Sequence, residues 1–370
     1  MILILFFLLC STLFGQTGYY ENNLVFYKLK NKDIIMQSNK LRVDLEKRIN
    51  RIEFKANVNF YNYNGTTVFD FKDYLPDFFE SYPYGVFSQT YKDTYKLDNI
   101  YLKFSLSNVD FTIGKQQISP GTGYFLNPVD IFNQKDYTDP AYEQPGYNAF
   151  KIDYFMTLNS QLIFIFSPDS TFDFSTIFVR YKHNFSKFDV SLYLSRYYKH
   201  QLDKFFNDEY FCSKMLGLSF AGEFIGLGVW GEFAFFDPES HKNYLEYLIG
   251  FDYTFENGLY ILNEFYYNSE NDKKLFSFEW INYFSGAIKS PMKMLDFSYI
   301  DYPLTDLISL GISSLYSMDD NSFSIIPHFI WNIFENTELT FRFVFNSGKK
   351  RSFLSSSMGE ALFCRLKYYF

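Results

Sequence analysis

The sequence is short of cysteine, histidine, proline and long apolar runs, and each shortage closes off a class of protein. Three cysteines in 370 residues, Cys10, Cys212 and Cys364, stand in unrelated settings without ligand spacing, which argues against a disulfide framework. The four histidines, His183, His200, His241 and His328, have no Cys, Asp or His at metal-binding distance in sequence. They read as solvated residues at strand ends and in loops, and no metal or cofactor is implied. Neither a Gly-x-Ser-x-Gly element nor a His-Ser dipeptide occurs, so nothing marks a catalytic nucleophile. Positive charge is also scarce: 34 Lys and Arg against 42 Asp and Glu give a net charge of -8, which speaks against a nucleic-acid partner. Beyond the amino terminus no stretch of 18 apolar residues appears, and that removes helical membrane spans.

What is abundant is aromatic. The 33 Tyr and 48 Phe bring the aromatic fraction to 23%, more than one soluble core needs. A membrane β-barrel has two interfacial girdles and a lipid-facing wall to furnish. Strand periodicity agrees. Ile52, Phe54, Ala56, Val58 and Phe60 share one face, while Arg51, Glu53, Lys55, Asn57 and Asn59 share the other, a period of two that a helix would scatter. The split recurs at 100–106, 188–195 and 338–346. Alternation alone does not separate a soluble sandwich from a barrel. Connection lengths do. Tight turns near Ser107-Asn108, Leu158-Asn159-Ser160, Asn184-Phe185-Ser186, Gly222-Glu223 and Glu256-Asn257-Gly258 alternate with longer polar links at 62–96, 119–146, 168–173, 199–212 and 237–242. Short turns on one rim and long loops on the other are the pattern of an outer-membrane barrel.

The expected fold is therefore an all-β, transmembrane antiparallel barrel of about 16 strands, with 14 or 18 as alternatives. Counting from residue 51 gives seventeen segments, an odd number that breaks the parity rule, and the fault falls in 269–305. One strand split around Gly286 to Met292 is the expected cause. Residues 51–370 form the barrel, and residues 16–50 are either a periplasmic segment or additional strand, since Leu41, Val43 and Leu45 also alternate.

Residues Ile2 to Phe14 are almost wholly apolar, about the length of a secretory signal core and too short to span a bilayer. Residues 1–15 are expected to be a cleaved signal peptide, with Gly15 at the cleavage site, although no Lys or Arg precedes the run and Leu13 is bulky. Leu9 before Cys10 disfavours lipidation. At the other end Leu362, Cys364, Leu366, Tyr368 and Phe370 alternate with Phe363, Arg365, Lys367 and Tyr369. This stripe resembles the assembly signal of bacterial outer-membrane barrels, with Leu366, Tyr368 and Phe370 carrying it.

A second resemblance lies at 114–132, Gly-Lys-Gln-Gln-Ile-Ser-Pro-Gly-Thr-Gly-Tyr-Phe-Leu-Asn-Pro-Val-Asp-Ile-Phe, followed by Asp139-Pro140, Glu143 and Pro145-Gly146. This is similar to a segment of porin-like outer-membrane proteins of Gram-negative bacteria, over about 35 residues. Lys115 stands where that pattern has Arg, and Pro120 where it often has Trp, so a constriction shaped by those residues would differ here. Glycines that permit positive φ and prolines that fix it imply a structured connection. Two readings stay open. The segment folds into the barrel and narrows it, presenting Asp130, Asp136, Asp139 and Glu143, or it is a packed surface loop with solvated acids.

Placing the polar face of each strand inward directs Lys55, Lys103, Lys151, Arg180, Lys182, Arg342, Arg365 and Lys367 to the lumen, with Glu53, Asp153, Asp189, Glu246, Asp252 and Glu338. Charges of both signs are costly in hydrocarbon and at home in a water-filled channel. For any one of them a salt bridge along the wall is as good an explanation as a solute contact. The expected function is a porin-like channel of the bacterial outer membrane, passing small polar solutes or ions. It is not expected to be an enzyme. Its expected partners are outer-membrane lipid, the barrel assembly machinery and small polar solutes, with sister subunits in a homo-oligomer as an open option. The alternative is a plugged, non-conducting barrel serving as receptor, adhesin or export component, whose contacts are made by loops such as 62–96 with Tyr82, Tyr84, Phe87 and Tyr91.

Overall fold

A computed structural model describes residues 15–28, 33–70, 88–133, 143–203, 205–271, 277–349 and 352–370. The expected signal peptide up to residue 14, together with Tyr82, Tyr84, Phe87, Asp136 and Asp139, lies outside the described residues.

Among the described residues eighteen antiparallel strands form one closed sheet. The first three are β1 (Gly15–Lys28), β2 (Asp33–Ile49) and β3 (Ile52–Gly65). A small hairpin, β4 (Val68–Asp70) with β5 (Ser88–Thr90), stands apart in the following loop. Then come β6 (Thr94–Ser105), β7 (Val109–Gln116), β8 (Tyr147–Thr157), β9 (Ser160–Ser167), β10 (Thr176–Phe185), β11 (Phe188–Leu202), β12 (Asp208–Phe224), β13 (Leu227–Pro238), β14 (Tyr244–Thr254) and β15 (Tyr260–Asn268). After the helix α1 (Ser277–Phe284) the sheet continues with β16 (Met294–Thr305), β17 (Ile308–Ser317), β18 (Ser322–Phe334), β19 (Thr337–Ser347) and β20 (Glu360–Tyr369). Each strand pairs with its neighbours in sequence, and β20 returns to pair with β1, so no edge is left unpaired. Closure satisfies every wall N–H and C=O, the condition for residing in lipid.

The barrel has 18 strands, the upper end of the expected range, and 16 of them lie after residue 51. Residues 16–50 are not a periplasmic tail: they supply β1 and β2, which moves the start of the barrel from residue 51 to Gly15. The seventeenth segment in 269–305 is not half of a split strand. It is α1, an eight-residue helix whose apolar Trp280, Ile281 and Phe284 imitate a strand in so short a run. The expected turn at Gly222-Glu223 lies inside β12, and the chain reverses instead at Ile225 and Gly226, both with positive φ.

The register separates the two faces. Lys103 pairs with Thr112, Thr112 with Lys151, Lys151 with Ile165 and Ile165 with Phe178. Phe178 and Ile165 are buried, so this row points into the barrel. The alternate row, Leu102, Ile113, Phe164 and Val179 among others, faces out; Leu102 and Ile113 are exposed. Gly18 marks the seam. Its N–H and C=O bond to the C=O and N–H of Phe370, both at 3.0 Å, and a Cβ there would stand 2.8 Å from the Phe370 ring and 2.2 Å from the Arg42 carbonyl. Only glycine admits so close an approach.

Candidate permeation path

After β7 the chain does not cross the rim but turns into the lumen. Residues 117–133 pack on the wall of β10 to β16, where Phe125 stacks on Phe297 at 5.0 Å and Phe132 meets Phe178 edge-on at 5.6 Å. Val129 is fully buried. The two largest apolar clusters among the described residues are built this way, from inward wall residues such as Trp230, Leu248 and Met215 and from the loop's Ile118, Phe125, Leu126, Val129 and Phe132.

Two wall carboxylates hold the loop by its backbone. Glu232 of β13 accepts from the N–H groups of Thr122, Gly123 and Val129, the last two at 2.9 and 3.1 Å, and from the Thr122 hydroxyl. Glu264 of β15 accepts from the N–H groups of Tyr124 and Phe125 and from Trp230 Nε1, each at 2.5 Å. Glu232 and Glu264 are 3% and 0% exposed. Such bonds to a buried carboxyl offset part of the cost of ordering the loop, and the apolar contacts of Phe125, Val129 and Phe132 supply the rest. Tyr193 donates to the Pro120 carbonyl at 3.0 Å and Lys289 to that of Pro128 at 2.6 Å. At Gly123 a Cβ would meet the Leu126 carbonyl at 2.1 Å, so the turn is confined to glycine.

The far end of the loop reaches the seam. Glu143 bonds Lys40 at 2.8 Å and Arg42 at 2.9 Å on β2, and accepts from the hydroxyl of Tyr19 on β1. Burial would raise the Glu143 carboxyl, but the bonds from Lys40, Tyr19 and Arg42 win and hold it below its ordinary value. Lys40, Arg42 and Lys367 surround the Tyr19 ring, Lys367 at 3.8 Å from its centre. Asp130 behaves otherwise. It is 1% exposed and turned back to accept from the N–H groups of Phe132 and Asn133 at 2.9 and 3.1 Å, at the border of the interior cavity. Burial pushes its carboxyl above the ordinary range.

The structure places the inward charges mostly in pairs. Lys55 reaches Glu46 and Glu53, Lys103 reaches Asp110 at 2.8 Å, Lys151 reaches Asp153 at 3.0 Å and Lys182 reaches Asp189 at 2.7 Å. Arg180 donates to Ser191. Arg365 binds Glu338 at 2.6 Å and Lys367 lies 3.8 Å from Glu21. Glu246 is buried beside Lys289, and Asp252 accepts from Tyr260 at 2.9 Å. Arg342 pairs across strands with His328. Contrary to the reading of a solvated rim residue, His328 sits mid-strand, 5% exposed, stacked on Tyr299 and 3.2 Å from Asp301. Among the described residues no group of three His, Cys, Asp or Glu could hold a metal.

Above the loop a cavity of about 1270 Å³ opens between the seam wall, with Glu21, Lys40 and Tyr61, and the loop residues Asp130 to Asn133. Its far side is covered by α1 and the 352–354 segment, where Trp280 packs on Phe353 at 5.7 Å.

Solved structures share this overall fold. The chain shares its fold with the Occ proteins. Pseudomonas aeruginosa OccK2 (OpdF) matches at TM-score 0.61 and 8% identity, over 96% of this chain and 97% of that one. Acinetobacter baumannii OccAB1 matches at 0.60 and 9%, over 96% of each chain, and Pseudomonas aeruginosa OccD3 (OpdP) at 0.54 and 10%, over 96% of this chain and 91% of that one. No family model and no curated protein sequence matches the chain.

Proposed function

We propose that this barrel is an outer-membrane channel for passive diffusion of small polar solutes or ions, with the loop 117–133 and Glu143 forming its constriction. The observation that carries this reading is the inner face itself: ionised groups of both signs line it from the Lys55–Glu46 pair near one rim to Lys40 and Glu143, while the outer face is apolar. Water is the natural solvent for such a surface. The sequence's resemblance to porin-like proteins and the fold shared with the Occ proteins support it. The pore-lining set is Lys103, Arg180, Lys182, Asp189, Glu246, Asp252, Arg342, Arg365 and Lys367, and Leu366, Tyr368 and Phe370 serve recognition by the assembly machinery. Purified protein in planar bilayers should conduct in discrete steps. Absence of steps from correctly folded protein would overturn the channel reading and favour a plugged barrel, which the packing of α1 against the 352–354 segment at the cavity edge keeps in view.

A further inference from the structure

The outer wall carries one feature that neither closure nor conduction uses. On β11 the outward row reads Phe188, Val190, Leu192 and Leu194 and then changes to Arg196, Tyr198 and His200; on β12 it reads Phe220, Leu218 and Leu216 and then Lys214. Arg196 and Lys214 are direct cross-strand partners, and both are exposed. Like charges placed opposite each other on one face repel. Among the described residues neither forms an ion pair: the guanidinium donates to the Cys212 Sγ at 3.3 Å and to the Tyr198 hydroxyl at 3.0 Å, which lay it flat on the sheet. Asp237, the cross-strand partner of Lys214 on β13, and Glu239 two residues on bring carboxylates near the pair, and among the described residues neither closes an ion pair with it.

Height identifies the environment. Arg196 lies eight residues along β11 from Phe188, roughly 20 Å above the near rim for a strand tilted by about 40°. The apolar band of such a barrel is about 25 Å tall, so the pair sits where hydrocarbon gives way to headgroups. Phe174, Tyr198 and Tyr210 cluster beside it, with ring centres 5.1 and 5.7 Å from Phe174, the amphipathic company of an interface. We propose that Arg196 and Lys214 form a binding site for the phosphate of an outer-leaflet lipid headgroup, the guanidinium supplying paired donors and the ammonium a point charge. This rests on the outer-membrane reading above.

The test uses the purified full-length barrel in detergent, with bis-phosphorylated lipid A and its dephosphorylated form as probes in native mass spectrometry. Wild type and Lys187→Gln, whose ammonium pairs with Glu223 at 2.8 Å in the turns of the opposite rim, should retain the phosphorylated lipid. R196Q/K214Q should retain it about tenfold less, as should wild type offered the dephosphorylated form. Equal retention by the double variant, or of both lipids, overturns the site. Release of bound lipid by excess inorganic phosphate overturns the lipid source and assigns the site to free phosphate. Should the double variant lack heat-modifiable migration, R196Q alone carries the same expectation at smaller size. Conductance on the same preparations separates the two readings, since a non-conducting wild type that still selects the phosphorylated lipid refutes only the channel.

Discussion

The wall of β13 to β15 and the seam of β20, β1 and β2 both hold the loop that enters the barrel, and they do so by opposite means. On the first, Glu232 and Glu264 accept from backbone N–H groups and an indole. On the second, Glu143 faces Lys40, Arg42 and Tyr19, and the neighbouring acids are matched by Lys367 and Arg365. A buried carboxylate held by main-chain donors is insulated from salt and from other charges. Ion pairs in a water-filled passage are screened and exchangeable. The lumen thus has a fixed side and a responsive side.

The largest effect should come from breaking the seam outright. Phe370→Asp puts a charge beside Gly18 and at the end of the outward stripe, and we expect the secreted chain to lose heat-modifiable migration and to be degraded. Normal membrane levels of this variant would mean that the seam does not depend on its last aromatic. Next comes the fixed side. Glu232→Ala leaves the N–H groups of Thr122, Gly123 and Val129 without their acceptor, at a cost on the order of 3 kcal/mol, and should free the loop, raising single-channel conductance. Unchanged conductance and urea midpoint would show that the apolar contacts of Phe125, Val129 and Phe132 suffice alone.

Acidification should sharpen the contrast. The Glu143 carboxyl is held below its ordinary value, so its contribution is full above the unfolded pKa of about 4.3 and is lost as pH falls through the lower folded value. Asp130 is raised by burial, so its ionisation opposes folding and the cost grows as pH rises through that range. Glu143→Gln should therefore cost ~1 kcal/mol at pH 7 and progressively less as pH falls below about 4.3, whereas Asp130→Asn should flatten the opposing trend. Chemical denaturation across this pH range reads both, and identical profiles for the two variants would erase the distinction. The smallest effect concerns selectivity. Neutralising Arg342, Arg365 and Lys367 leaves Glu338 and Glu21 without their cations, and reversal potentials in a salt gradient should move toward cation preference. No movement would place this part of the seam away from the permeating ions.

Much of the fold was legible because period two survives in almost every strand, and because a closed sheet forces turns and loops to alternate. What misled was length. Eight residues from Ser277 to Phe284 carry too little periodicity to separate a helix from a strand, and β1 mixes Asn22 and Asn23 with Leu24 and Val25 so that neither face reads as apolar. The glycines and prolines implied a structured loop and left its entry into the barrel as one of two open readings, and its anchors were not read at all. A signal existed: Glu232 lies between Trp230 and Ala234 on the inward row of β13, an isolated acid among apolar neighbours, and such a residue requires donors from elsewhere. Which donors is a matter of tertiary geometry. Likewise Lys40 and Arg42 could not be matched to Glu143 across 101 or more residues without knowing that β2 lies at the seam.

The grip of Glu232 and Glu264 on main-chain N–H groups has an evolutionary corollary. An anchor that reads the backbone is blind to side-chain identity: substitution removes the Thr122 hydroxyl bond and the Tyr124 ring contacts, while the main-chain bonds of both residues persist. The forbidden substitution at either position is proline, which has no N–H to give. Glu232 and Glu264 can therefore stay fixed while the surface that solutes meet is rewritten, letting one scaffold acquire new preferences by point mutation without passing through an unfolded intermediate.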